Sequence, residues 1–112
     1  MTDIQEITNA LIEFRDARDW KQFHTSKDLA TAISIEAAEL NELFLWKALA
    51  DSEAVEKEKI KEELADILAF SFLLAEKHGM NVKELMLEKI KKNNEKYPIE
   101  KAKGTAKKYN EL

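Results

Sequence analysis

The sequence predicts an all-α domain built from four amphipathic helices. Charged residues make up 36% of the 112 positions and hydrophobic residues 45%, whereas only two glycines and one proline occur. This composition supplies enough apolar surface for a core and too few turn residues for a β-rich fold. Apolar residues also recur at helical spacing along most of the chain. We therefore expect one domain over residues 1–112, with a lysine-rich tail at 99–112.

The first helix is predicted by an apolar stripe at Ile4, Ile7, Leu11 and Phe14. The stripe ends near Asp19, and residues 20–26 have no helical period, so they predict a loop. Ser26 can cap the helix that follows, because its hydroxyl can accept a hydrogen bond from a free backbone N–H.

Residues 27–49 predict the second helix, with an apolar face at Leu29, Ile33, Leu40, Leu43 and Phe44. A break at residues 50–52 follows, where Asp51 or Ser52 can cap the third helix. The third helix is apolar on almost all sides between Ile67 and Ala75, so we expect it to be buried on several sides. It ends where Gly79 favours a helix stop.

The fourth helix begins near Asn81, which forms a capping-box pattern with Glu84, and it stops before Pro98. Four helices in so short a chain form a thin core. The surplus apolar surface on the second and third helices therefore predicts a helical homo-oligomer, a dimer or a dimer of dimers. A compact monomer with a well-filled bundle is the alternative.

Composition also excludes several classes of protein. With no cysteine, the chain has no disulfide, thiolate metal site or cysteine nucleophile. No apolar run approaches the roughly 20 residues that span a bilayer, and the acidic start does not resemble a secretory signal. The net charge of −4 argues against binding a nucleic-acid polymer. We therefore expect a cytoplasmic protein without a membrane partner.

Two pairs of acidic residues stand inside the apolar pattern. Glu36 and Glu39 lie three residues apart on the second helix, and Glu63 and Asp66 repeat this spacing on the third. Each pair shares one helix face, about 60° apart. Ionised carboxylates near apolar surface are costly unless they are compensated by bases or by a divalent cation. Mg²⁺ fits an oxygen-only set, whereas zinc would require His or Cys ligands.

These residues resemble the E-x-x-E and E-x-x-D signature of the MazG-type all-α nucleoside triphosphate pyrophosphohydrolases. The segments Arg18-Asp19-Trp20 and Phe23-His24 are similar to those of its small dCTP-pyrophosphatase-like branch. Further similarity covers the remainder of the chain, at Glu42-Leu43-Phe44, Trp46, Lys89, Asn93, Tyr97-Pro98 and Lys108-Tyr109.

The resemblance implies a four-helix MazG-like unit that dimerises, and the reaction (d)NTP + H₂O → (d)NMP + pyrophosphate. It implies that Mg²⁺, which Mn²⁺ can replace, is held by Glu36, Glu39, Glu63 and Asp66, with Glu36 or Glu39 taking the proton of the attacking water. It also implies that Trp20, His24 and Trp46 line the base and sugar pocket. Phosphates would be held by Lys89, Asn93, Tyr97, Lys108 and Tyr109.

Phe70 departs from this pattern, because relatives selective for dCTP tend to have tyrosine there. Phe70 is a candidate contact to the substrate, and its missing hydroxyl leaves the preference for dCTP among dNTPs open. Two other readings remain: an enzyme of the same fold for another pyrophosphate substrate, such as dUTP or a phosphoribosyl nucleotide, and a non-enzymatic homodimeric interaction module.

Overall fold

The computed structural model describes residues 1–112 and contains helices without any strand, which confirms the predicted all-α class. Four long helices are present, as predicted, together with two helices of four residues each. Their bounds are α1 Asp3–Ala17, α2 Ser26–Glu42, α3 Leu49–Ser52, α4 Lys57–Lys77, α5 Val82–Lys96 and α6 Ile99–Ala102. No helix is both long and apolar enough to cross a lipid bilayer.

The residues fall into two compact units, Met1–Gly79 and Met80–Leu112. The first unit begins with a capping box on α1: Gln5 N–H donates to the Thr2 hydroxyl at 3.2 Å, and Thr2 N–H donates to the Gln5 side chain at 2.9 Å. These two bonds satisfy backbone donors that have no partner within the helix. The helix ends at Ala17, and Asp19 then adopts a left-handed φ of 54°.

The start of α2 is capped one residue earlier than predicted. Thr25, in extended conformation, accepts a hydrogen bond from Asp28 N–H at 3.1 Å, and Ser26 is already helical. Either hydroxyl is chemically able to cap, but a capping residue must itself have non-helical backbone angles. The prediction that Ser26 caps the helix is therefore wrong by one position.

The second helix is shorter than the predicted span of residues 27–49. It ends at Glu42, where Leu43 N–H and Phe44 N–H bond to carbonyls three residues back instead of four. The left-handed φ of 63° at Trp46 then turns the chain away from the helix axis. The predicted caps Asp51 and Ser52 lie inside α3, so that prediction is wrong, and α4 instead begins after Glu56 without a side-chain cap.

Helices α2 and α4 form the core of the first unit and run antiparallel. Ser26, at the start of α2, shares a 2.8 Å hydrogen bond with His78, which follows the last residue of α4. The most buried side chains are Leu29 of α2, 2% exposed, and Leu73 of α4, 6% exposed. Gly79, with φ of 65°, follows and confirms the predicted helix stop.

The apolar face of the first half of α4 is open, whereas the stretch Ile67–Ala75, predicted to be buried on several sides, is buried or half-buried except at Leu68. Leu64 and Leu68 are 45% and 49% exposed, and they line an open groove of about 370 Å³ whose remaining walls are Ile60, Ala65, Lys57 and Lys61. The α4 groove, defined by these six residues, is lined by apolar atoms almost throughout. The apolar pattern of α4 thus exceeds what the single chain can cover.

The second unit, Met80–Leu112, contains α5, α6 and the tail. Asn81 caps α5 by accepting from Glu84 N–H at 3.0 Å, as predicted, and α5 ends at Lys96 before Pro98. Beyond α6, the ring of Tyr109 packs edge-to-face on that of Tyr97, with a centroid separation of 6.3 Å. The Lys96 ammonium lies 5.0 Å from the Tyr109 ring centroid. Aromatic and cation–π contacts therefore hold the tail against the end of α5.

We expect Leu29→Ala to lower the free energy of unfolding by about 2–5 kcal/mol, because it leaves a cavity between α2 and α4. Chemical denaturation monitored by circular dichroism measures this loss. The matched control is Leu49→Ala on α3, where the side chain is 79% exposed, and its effect should stay within about 0.5 kcal/mol. Equal losses in the two variants would contradict the placement of the core.

Candidate metal centre and nucleotide site

The antiparallel packing of α2 on α4 brings together acidic residues from distant parts of the chain. Glu36 and Glu39 lie one turn apart in the second half of α2, and Glu63 lies in the first half of α4. One carboxylate oxygen from each of these three residues lies within 4.8 Å of the other two. The acidic cluster, defined by Glu36, Glu39 and Glu63, thus unites both halves of the predicted carboxylate signature.

Asp66 lies outside this set of three, although it follows Glu63 by one turn on α4. Its charge nevertheless acts on the cluster, since it raises the pKa of both Glu36 and Glu63. The structure therefore brings together three of the four predicted metal ligands. The role of Asp66 as a fourth ligand stays a prediction.

Burial divides the acidic residues into two groups. Glu36 and Glu63 are half-buried, and the Oε2 atom of each is shielded from solvent without a hydrogen-bond partner. Glu39 and Asp66 are exposed. Of the four acids that stand inside the apolar pattern, only Glu36 and Glu63 are therefore partly buried within one chain.

Electrostatic repulsion within the cluster shifts its proton affinity. The pKa of Glu36 is raised to about 7, first by its contact with the Glu39 carboxyl group, then by burial, and then by the charges of Glu39, Asp66 and Glu63. Burial, followed by the contact with Glu39, raises the pKa of Glu63. None of these acids forms a salt bridge. Shielded carboxylate oxygens without basic partners are the donor set that a hard divalent cation requires.

The two candidate base-binding residues of the first loop lie near the end of α1. Trp20 is exposed, and its ring packs edge-to-face on Phe14 at 5.8 Å. His24 is half-buried, and its Nδ1 atom is shielded without a hydrogen-bond partner. It lines a cavity of about 160 Å³ with Leu29, which precedes Glu36 by seven residues on α2. That spacing corresponds to about 10 Å along the helix axis.

Charged side chains form much of the lining of the cavity beside His24. Its lining comprises Arg15, Lys21, His24, Leu29, Leu73, Glu76 and Lys77. Burial, and then the positive charge of Arg15, lower the pKa of His24. The imidazole is therefore held in its neutral form, which offers one hydrogen-bond donor and one acceptor.

Trp46 and Phe70 have contrasting environments. Trp46, beyond the end of α2, is 94% exposed, so within this chain it is not a core residue. Phe70 is half-buried on α4, one turn after Asp66. The position of Phe70 next to an acid that acts on the cluster fits a substrate contact, and the roles of both aromatic residues stay predictions.

The candidate phosphate-binding residues all belong to the second unit. Lys89 and Asn93 are exposed and lie one turn apart on α5, so they share a helix face. Tyr97 ends α5, and Lys108 and Tyr109 lie in the tail that packs on it through the tyrosine pair. The second unit thereby brings Tyr97 and Tyr109 into contact, while Lys89 and Asn93 share a face of α5.

Sequence reasoning missed Arg15, which is the one charged residue buried in the chain, at 5% exposure. Arg15 lies four residues after Leu11 and so continues the apolar stripe of α1. This position is the sequence feature that could have indicated its burial. A charged residue at a core-facing helical position needs a partner of opposite charge. Glu76, its partner on α4, carried no comparable signal in the sequence.

The raised pKa of Glu36 predicts a pH-dependent stability of the metal-free protein. Its ordinary pKa of 4.5 applies in the unfolded chain, so between about pH 4.5 and pH 7 the folded state binds more protons. Stability contributed by the protonated cluster is therefore lost as the pH rises through this window. We expect Tm in EDTA to fall between pH 5 and pH 8, as measured by differential scanning calorimetry.

A divalent cation should reverse this fall in Tm, because its positive charge offsets the negative charges of the acidic cluster. Glu36→Gln should flatten the pH dependence, whereas Glu42→Gln, at the exposed end of the same helix, should leave it unchanged. A Tm that rises with pH in EDTA for the unmodified protein would contradict the predicted repulsion.

Comparison with known proteins identifies the relatives of this chain. Residues 31–112, which include the acidic cluster, Asp66 and the whole second unit, match the model of the MazG-like family. The dCTP pyrophosphatase 1 of Rattus norvegicus is 32% identical over 114 residues, which span 97% of this chain and 67% of the relative. The Bos taurus protein of the same name is 34% identical over 116 residues, spanning 97% of this chain and 68% of the relative.

A solved structure shares the fold. The crystal structure of a pyrophosphatase from Archaeoglobus fulgidus superposes with a TM-score of 0.82, covers 88% of this chain and 94% of its own, and is 39% identical. The carboxylates that this sequence places on α2 and α4, the match over most of the chain and the shared fold lead to one assignment. The chain belongs to the MazG-like family.

Proposed function

We propose that this chain is a metal-dependent nucleoside triphosphate pyrophosphohydrolase that converts (d)NTP and water to (d)NMP and pyrophosphate, with dCTP as a substrate. The observation that carries the proposal is the acidic cluster, whose shielded oxygens have no basic partner. Its relatives named dCTP pyrophosphatase 1 align over 97% of the chain. That coverage supports residues 1–112 acting as one functional domain.

The cation of this proposal is Mg²⁺, which Mn²⁺ can replace. Glu36, Glu39 and Glu63 would hold it, with Asp66 as a fourth ligand or a nearby charge. The all-oxygen donor set and the two half-buried, unpaired oxygens fit this ion. When bound, the cation supplies positive charge next to the phosphate oxygens of the nucleotide.

A carboxylate of the chain accepts the proton that the reaction releases. Glu36 or Glu39, whichever keeps one carboxylate oxygen free of the cation, accepts a proton from the water that attacks the α-phosphorus. The new bond joins the water oxygen to the α-phosphorus, and the bond that breaks joins this phosphorus to the oxygen that bridges it to the β-phosphorus. Pyrophosphate leaves with that oxygen, and the nucleoside monophosphate remains.

Aromatic and basic residues bind the remainder of the nucleotide in this proposal. Trp20 and Trp46 offer exposed flat surfaces on which a base can stack, and neutral His24 can bond to the base or sugar. Lysine side chains supply the positive charge that binds phosphate groups. The proposed phosphate contacts are Lys89, Asn93, Tyr97, Lys108 and Tyr109.

We also propose that the protein self-associates as a dimer or a dimer of dimers. The α4 groove leaves Leu64 and Leu68 half exposed, and exposed apolar surface of this kind is commonly covered by another chain. Light scattering after size-exclusion chromatography measures the mass of the assembly. A monomer of 12.9 kDa would contradict the proposal.

The first experiment measures pyrophosphate release from a panel of dNTPs and NTPs, with Mg²⁺ and with EDTA, while free phosphate is assayed separately. We expect metal-dependent pyrophosphate without free phosphate, and the best substrate defines the base and sugar preference that Phe70 leaves open. No release from any nucleotide would contradict the proposal and favour another pyrophosphate substrate or a binding module.

We expect Glu39→Gln to lower kcat by at least about 100-fold, because it removes both a cation ligand and a proton acceptor. Steady-state kinetics at saturating Mg²⁺ measures the loss. Glu42→Gln, which removes an exposed carboxylate of the same helix, is the matched control and should retain kcat. Unchanged hydrolysis in Glu39→Gln would show that the cluster is misassigned.

Trp46→Ala separates base stacking from packing. The side chain is 94% exposed, so within one chain its loss should leave Tm unchanged while KM for the nucleotide rises about tenfold. Thermal unfolding and steady-state kinetics on the same preparation measure both quantities. A fall in Tm with KM unchanged would instead place Trp46 in a contact between copies of the chain.

A further inference from the structure

Arg15 ties the end of α1 to the end of α4. Its Nη1 atom donates to Glu76 Oε2 at 3.2 Å, and its Nε atom donates to Asp16 Oδ1 at 2.8 Å. The Arg15 side chain is 6% exposed, whereas that of Glu76 is 32% exposed. A buried guanidinium is tolerated because two carboxylates compensate it, and removing a partner from such a pair is costly.

The backbone of Arg15 also starts the loop that carries Trp20 and His24. Its carbonyl accepts hydrogen bonds from Arg18 N–H at 3.2 Å and from Trp20 N–H at 3.1 Å. The left-handed φ of 54° at Asp19 completes this turn. The direction in which the chain leaves α1 is therefore set at the residue whose side chain is anchored to α4.

Arg15 and His24 line the same cavity. The charged groups that face it are Arg15 from α1, Lys21 from the loop, and Glu76 and Lys77 from α4. Helix α2 contributes only Leu29. Nδ1 of His24 is shielded and unpartnered, so no hydrogen bond to this atom orients the imidazole in the cavity that it shares with Arg15 and Glu76.

We infer that Arg15, anchored by Glu76, is a positioning residue of the nucleotide site, which fixes the Trp20–His24 segment and forms a wall of the cavity that His24 lines. This inference rests on the proposed function, in which Trp20 and His24 contact the nucleotide. Arg15 itself makes no contact with substrate in this scheme. It acts through the loop that it anchors and through the charge that it places beside the imidazole.

The electrostatic part can be tested without any nucleotide. The chain has two histidines, so the NMR signal of His24 can be assigned and followed through a titration of labelled protein. Arg15→Gln should raise the pKa of His24, because the positive charge that lowers it is removed while the Glu76 carboxylate stays. Arg15→Lys, which keeps the charge, should leave it near the unmodified value.

The positioning part is tested by kinetics on the unmodified protein and on the same variants. We expect Arg15→Gln to raise KM about tenfold with kcat within about twofold, because binding changes while the acidic cluster does not. Glu76→Gln should raise KM in the same sense, and it keeps the test available if Arg15→Gln does not fold. The control Glu13→Gln changes an exposed residue of α1, the helix that carries Arg15, and should change neither constant.

Two results would overturn the inference. One is a His24 titration in Arg15→Gln that matches the unmodified protein. The other is an unchanged KM in Arg15→Gln and Glu76→Gln with only Tm lowered, which would make the pair purely structural. If the unmodified protein hydrolyses no nucleotide, the proposed function fails, and the titration still decides whether Arg15 controls the charge of His24.

Discussion

The antiparallel packing of α2 against α4 is the constraint on which the remainder of the first unit depends. At one end, Leu29 and Leu73 are buried and Ser26 bonds to His78. At the other end, the same alignment forces the carboxylates of α2 and α4 together. A helix repeats its faces every three to four residues, so the apolar contacts that stabilise one end dictate which side chains meet at the other. The alignment of α2 on α4 that buries Leu29 and Leu73 therefore also decides which carboxylates form the acidic cluster.

Charge is compensated in two different ways within this unit. Arg15 is buried between the carboxylates of Asp16 and Glu76, so its charge is neutralised by the chain itself. Glu36 and Glu63 have shielded oxygens and form no salt bridge. The contact with Glu39 and burial raise the pKa of Glu36, burial and the contact with Glu39 raise that of Glu63, and the neighbouring carboxylate charges add to both. A folded chain keeps such an unfavourable arrangement only where an outside group compensates it. Arg15 and its two carboxylate partners are therefore a structural feature, whereas the acidic cluster is a candidate site for a cation.

The sequence pattern was sufficient to predict much of the local structure. Four long helices, the stop at Gly79, the cap at Asn81 and the end of α5 before Pro98 follow from short-range rules on caps and backbone angles. The predicted extension of the second helix to residue 49 failed because Leu43 and Phe44 are as compatible with a tight turn as with a helix. The left-handed backbone of Trp46, which decides between them, is not encoded in an apolar pattern.

By itself, the sequence determined the all-α class, the paired acids at Glu36–Glu39 and Glu63–Asp66, and the family that they resemble, because these depend on residue type and spacing along one helix. Only the tertiary structure decided that three of the four acids approach within 4.8 Å, that Trp46 is exposed, and that Arg15 is buried beside Glu76. These features depend on how one helix lies against another. Contacts between residues some 60 positions apart leave no periodic trace in the chain, so spacing alone could not predict them.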